Sequence, residues 1–198
     1  IQKEVFPEVH PELALVYRNI GAVHVSEGLF DKAEEFHFKS LRLLEKVFPE
    51  NHPDIAAAYD NIGLIHESKG EHDQALDYYF KSIAIQEKVF PESHHNIART
   101  LDRIGSVFIL KKDYNNSLEY YFKSLKIMEK LLGENKHVIG QFLNNIGMAY
   151  YLNGEYEPAL EYFFKSLNIL KEFLTHETHH QDIATLYKNI GNVLNSKD

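Results

Sequence analysis

The chain repeats itself, and that periodicity constrains its fold more than any other feature. The tripeptide Asn-Ile-Gly occurs at Asn19-Ile20-Gly21, Asn61-Ile62-Gly63, Asn145-Ile146-Gly147 and Asn189-Ile190-Gly191, with Arg103-Ile104-Gly105 in the remaining slot. The glycines follow one another at 42, 42, 42 and 44 residues. A second marker keeps the same period: Phe38-Lys39-Ser40, Phe80-Lys81-Ser82, Phe122-Lys123-Ser124 and Phe164-Lys165-Ser166. A third, His10-Pro11-Glu12 and His52-Pro53-Asp54, decays to His94-His95-Asn96, Lys136-His137-Val138 and His180-Gln181-Asp182. Self-similarity at this period marks an array of supersecondary units, each burying its apolar face against its neighbours. The boundaries expected are 1–9 (the end of a preceding second helix), full repeats 10–51, 52–93, 94–135 and 136–179, and a truncated repeat 180–198.

Within the second repeat, Ile55, Tyr59, Ile62 and Ile65 recur at three and four, which is helical spacing. Pro53 suits a first helical turn, and Asp54 places negative charge at the positive end of the dipole. Gly70 stops this first helix. A second follows, with Ala75, Tyr78, Tyr79, Ser82, Ile83, Ile85 and Val89 on a wide apolar stripe ended by Pro91. No segment alternates with the period of a strand. The expectation is an all-α chain, roughly 80% helix, well above the usual share.

Composition narrows the function. Of 198 residues, 44% are apolar, enough to bury a core, and 21 Lys+Arg against 29 Asp+Glu leave a net charge of −8. That sign argues against nucleic-acid binding through phosphate neutralisation. No apolar run approaches the ~20 residues that span a bilayer, and no basic-then-apolar leader precedes the first segment. The absence of Cys excludes thiolate metal sites and a cysteine nucleophile, and fits the reducing cytoplasm. Neither a phosphate loop nor a nucleophile elbow nor a His-Glu-x-x-His helix occurs, so no catalysis and no cofactor are expected.

The order Tyr59, Ile62-Gly63, His66, Gly70, His72, Ala75, Tyr79, Ser82 resembles the tetratricopeptide-repeat pattern. The 42-residue period, long second helix and His-Pro-Asp connection are more specifically similar to the kinesin-light-chain type. The resemblance implies a right-handed α-solenoid of stacked antiparallel helix pairs, its first helices lining a concave groove that holds peptides. An interaction module for a peptide segment of a partner protein is therefore expected. The competing expectation is an architectural spacer, or self-association through open array ends.

If Ile20, Ile62, Ile104, Ile146 and Ile190 face the core, the preceding residue turns about 100° toward the groove. Asn19, Asn61, Asn145 and Asn189 then form a ladder of carboxamides able to grip a peptide main chain, or else bond locally. Arg103 breaks the ladder, with Arg99 one turn away. Together with Arg18 they offer forks of donors for acidic groups; an Arg99–Asp102 pair with a solvated Arg103 is the alternative. The set Arg18, Asn61, Arg99 and Arg103 resembles the two-carboxylate clamp of some tetratricopeptide domains, with Ala22 where that clamp has an asparagine. Leu64, Met148 and Tyr151 are the apolar groove contacts expected to flank an acidic ligand.

The aromatic runs ending in Phe38, Phe80, Phe122 and Phe164 read as core of the second helices, or as a second, convex strip. Glu35/Lys39, Asp77/Lys81, Glu119/Lys123 and Glu161/Lys165 read as solvated pairs four apart. His94, His95, His176, His179 and His180 raise opportunistic zinc binding, although the histidines of the His-Pro slot fit helix starts better.

Overall fold

Each repeat builds a helix hairpin in a computed structural model of the chain, which describes residues 10–92, 94–132, 137–172 and 179–197. The preceding second helix expected over 1–9 lies outside the described residues. Among those described, all regular structure is helical: α1 (Pro11–Ser26), α2 (Phe30–Val47), α3 (Pro53–Ser68), α4 (His72–Val89), α5 (His95–Leu110), α6 (Tyr114–Leu132), α7 (His137–Leu152), α8 (Tyr156–Glu172) and α9 (His179–Lys197). The chain forms two compact units, Ile1–Pro91 and Glu92–Asp198. The first holds α1 to α4 and the second α5 to α9.

The His-Pro marker is a helix start. Nδ1 of His10, His52 and His94 accepts from the backbone N–H two residues on, at 3.3, 3.2 and 3.2 Å. Each imidazole thereby satisfies one of the donors that a helix N-terminus leaves open, a role more often filled by Ser, Asp or Asn. Pro11 and Pro53 occupy the first turn, where no N–H is needed. Phe48 stacks on His52 at 3.8 Å and steadies the second cap.

First helices end in a left-handed residue: Gly28 (φ 71°), Gly70 (φ 77°) and Gly154 (φ 80°). The equivalent residue of the third repeat is Lys112, at φ 59°. A side chain there is strained, whereas glycine is not. Lys112→Gly should therefore raise the stability of the second unit by about 1 kcal/mol, read as a higher denaturant midpoint with an unchanged slope.

The Phe-Lys-Ser marker resolves into three jobs. Its serine fastens the hairpin: Oγ of Ser40, Ser82, Ser124 and Ser166 donates to the carbonyls of Ala14, Ala56, Ala98 and Gly140, at 2.8, 2.8, 2.6 and 2.6 Å. All four serines are buried, so each bond gives the hydroxyl hydrogen an acceptor away from water. Its lysine lies over the aromatic ring three residues earlier, at 4.7 to 4.9 Å for Phe36, Tyr78, Tyr120 and Tyr162. Lys39, Lys123 and Lys165 also meet their glutamates four residues back, as the spacing predicts. Lys81, whose acid is the shorter Asp77, reaches the Tyr59 ring besides Tyr78. Its phenylalanine joins neighbouring second helices: Phe38 meets Tyr78 and Phe122 meets Tyr162, both edge-on. Phe80 and Phe164 stand 39% and 47% exposed, so the position is partly core and partly surface.

Hairpins stack through apolar faces. In the first unit Leu41 and Leu44 of α2 join Ile55, Ala58 and Ile62 of α3 in one buried cluster. In the second, Leu118, Tyr121 and Leu125 of α6 meet Ile139, Leu143 and Ile146 of α7, while Phe163, Leu167 and Leu170 of α8 meet Leu186, Ile190 and Val193 of α9. The α2–α3 junction also carries charge: Lys69 Nζ reaches Asp31 at 2.9 Å and Glu34 at 2.8 Å, and these carboxylates hold its ammonium well above the usual lysine range.

Candidate functional site

The residues before the core isoleucines decide what the first helices present. Ile62, Ile104 and Ile146 have no exposure at all, which fixes the rotation of α3, α5 and α7. Asn19 is then exposed, while Asn61, Arg103 and Asn145 are half-buried and Arg99 exposed. Arg18 and Leu64 are half-buried. Met148 and Tyr151 pack at the edge of the α8–α9 cluster, so part of their surface belongs to the core.

Within the second unit the carboxamides turn toward neighbouring first helices. Asn145 Nδ2 on α7 donates to Asp102 Oδ1 on α5 at 3.1 Å, and Asn189 Nδ2 on α9 donates to Asn144 Oδ1 on α7 at 3.0 Å. Asn189 is only 6% exposed. First helices two positions apart in the chain thus lie side by side, and polar side chains near the core isoleucines bridge them. The ladder expected from the sequence is here a set of rungs joining helices. Asn144, one residue earlier, is the half-buried amide beside the opening, a residue the tripeptide alone did not single out.

Each unit has an opening at equivalent repeat positions. Between α1 and α3, floored by α2, a cleft of about 260 Å³ is lined by Leu15, Arg18, His37, Ser40 and Leu44 with Glu12 and Asp54. Between α7 and α9, floored by α8, a second of the same size is lined by Gln141, Asn144, Asn145, Ser166 and Leu170 with Asp182 and Thr185. The same repeat positions supply both walls, so the first is armed with a cation where the second carries amides.

His37 makes the first cleft different. It occupies the position of Tyr79, Tyr121 and Phe163, whose rings lie against Gly63, Gly105 and Gly147, and its own ring lies against Gly21. It is 3% exposed, and burial, reinforced by the Arg18 guanidinium, lowers its pKa to about 4. The imidazole is therefore neutral near pH 7. Its Nδ1 is buried without a hydrogen-bond partner.

His94 and His95 stack on one another at 4.5 Å, which accounts for that pair by packing. His176 and the side chains of His179 and His180 lie outside the described residues. Among the described residues no helix is long and apolar enough to cross a membrane.

Antiparallel helix pairs, each pinned by a serine and seated on a glycine, and stacked within each unit with first helices adjacent, define an all-α helical-repeat protein of the tetratricopeptide solenoid class. The tetratricopeptide-repeat profile matches residues 12–88 and 96–172, and the chain belongs to that family. Solved structures agree in fold. BtubC (BKLC) from P. vanneervenii superposes with a TM-score of 0.83 at 20% identity, over 94% of this chain and 74% of that one. A kinesin light chain protein of nearly identical TPR-like repeats from Podosopora anserina superposes with 0.77 at 16% identity, over 95% and 92%. The apo form of RapI superposes with 0.78 at 17%, over 93% of this chain and 64% of its own. No curated protein sequence matches. Tetratricopeptide repeats are a general protein–protein interaction module.

Proposed function

We propose that the chain binds a peptide segment of a partner protein along its first helices, with acidic residues of the ligand flanked by apolar ones. The observation that carries this reading is the recurrence of one cleft at equivalent places in the two units, lined in one by Arg18 and in the other by Asn144 and Asn145. In the first unit Arg18, Asn19, Asn61 and Leu64 are the contacts; in the second they are Arg99, Arg103, Asn145 and Met148, with Asn189 acting through Asn144. Guanidinium forks suit carboxylates, and amides suit the main chain. The role is binding without chemistry, and its setting is the cytoplasm.

The architectural reading has its own support in the Asn145–Asp102 and Asn189–Asn144 bridges, which tie first helices together without a ligand. Selection separates the two. A phage library of random 12-residue peptides panned on the whole chain should enrich Asp or Glu next to apolar residues. Arg18→Gln with Asn19→Ala should weaken the selected peptides by tenfold or more, as loss of a charged hydrogen bond does. Panning that enriches nothing, or peptides indifferent to both substitutions, would leave the spacer role standing.

A further inference from the structure

The α1–α2–α3 cleft is lined by groups of opposite charge, Glu12 and Asp54 near the helix starts and Arg18 further along α1. Pro11 and Pro53 open α1 and α3, and the exposed Glu12 and Asp54 stand beside them at the mouth. Arg18 follows Glu12 by six residues, about 9 Å further along the helix. It is half-buried and forms no ion pair among the described residues. The ring of His37 turns its Cδ2–Nε2 edge to Gly21, which leaves Nδ1 on the opposite edge, buried and without a partner. A neutral imidazole protonated at Nδ1 is a donor, and a stranded buried polar atom costs about 1–3 kcal/mol until something satisfies it. Ser40, whose hydroxyl donates to Ala14, makes no bond to the His37 Nδ1.

We propose that this cleft is a subsite for a mixed-charge pair on the bound segment: a carboxylate held by Arg18 and His37, and an ammonium or guanidinium two residues away held by Glu12 and Asp54. An extended peptide carries residues i and i+2 on the same side, about 7 Å apart, so two neighbouring side chains of one face can address the acids and Arg18 together. The mouth acids repel a ligand that is acidic throughout, so the subsite selects Lys-x-Glu over Glu-x-Glu. Leu15, 45% exposed on the wall, covers the intervening residue.

This subsite deepens the binding function and rests on it, yet its test does not depend on any natural partner. The probes are three blocked tripeptides, acetyl-Lys-Ala-Glu-amide, acetyl-Lys-Ala-Gln-amide and acetyl-Glu-Ala-Glu-amide, titrated into the whole chain while the His37 ring resonances are followed by NMR. The Lys-Ala-Glu probe should shift those resonances saturably, and each of the others should bind about tenfold more weakly. His37→Phe restores the ring type that Phe163 shows to be compatible with the glycine seat, so the fold is kept while Nδ1 is removed. It should weaken the Lys-Ala-Glu probe, followed then by the Leu15 methyls, as should Arg18→Gln. Equal binding of the three probes, no binding by any, or full affinity in both variants would overturn the subsite. Phage-selected peptides that bind the parent and the His37→Phe variant alike would also sink it and leave the wider binding role intact. Failed panning beside a Lys-Ala-Glu response confined to the parent would do the reverse.

Discussion

Replacing the repeat glycines by alanine should divide them into two groups of opposite sign. A Cβ added at Gly63, Gly105 or Gly147 would stand 2.7, 2.6 and 2.7 Å from ring carbons of Tyr79, Tyr121 and Phe163. These rings are 0%, 4% and 0% exposed, and the Tyr79 hydroxyl is anchored to Glu67 at 2.6 Å. They have no space to retreat into, so the hairpin must open. Overpacking of this kind costs about 1–3 kcal/mol and occasionally more, while alanine in mid-helix returns up to about 1 kcal/mol. The net loss should be about 2 kcal/mol, or several degrees in the melting temperature of the unit concerned. Gly191 is the internal control, because a Cβ there meets nothing within 4 Å. Gly191→Ala should be neutral or stabilising by up to about 1 kcal/mol. Thermal melts followed by circular dichroism decide the matter; a uniform sign across all four would mean that helix propensity, rather than the ring seat, governs these positions.

The same glycines show how far the sequence carries. Their period matches the spacing of the helix pairs among the described residues, and Pro53, Gly70 and Pro91 marked helix ends within two residues of those found at Pro53–Ser68 and His72–Val89. These are local signals: a proline without an N–H, a residue that must take positive φ, and an apolar stripe. What the tripeptide could not convey is why glycine follows isoleucine, since the reason is a ring sixteen residues later. The substitution of His37 in that ring series was visible in the run Phe36-His37-Phe38, yet its meaning depends on burial and on Arg18 nearby. The asparagine ladder shows a related limit. Helical phase brings Asn145 and Asn189 to the side where first helices meet, but phase alone does not distinguish an amide aimed at a ligand from one aimed at Asp102 or Asn144. The histidines of the His-Pro slot were readable as helix starts by position. That the imidazole itself is the cap emerged only from the geometry of Nδ1.

Mild acid should destabilise the first unit well before its carboxylates are protonated, and His37 is the reason. The folded chain holds this imidazole at a pKa of about 4, against 6.5 in a solvated histidine, because burial and Arg18 both oppose the cation. Above pH 6.5 both states are neutral there and the full stability is present. As the pH falls below 6.5 the unfolded chain takes up a proton that the folded chain refuses, so stability declines by up to about 1.4 kcal/mol per pH unit and levels off below pH 4. His94, whose pKa is lowered by burial and then by His95, acts in the same direction in the second unit. Glu35 and Glu71, held below the usual carboxylate range by Lys39 and His66 respectively, take up protons and lose that stabilisation only at lower pH. The interval between pH 6.5 and 5 therefore isolates the imidazoles. Over it, urea unfolding of the parent should lose about 1–2 kcal/mol more than His37→Phe, which has no proton to gain at that position. Parallel curves for the two proteins would mean that the ring is solvated in the native state, and with it the buried donor of the α1–α2–α3 cleft would vanish.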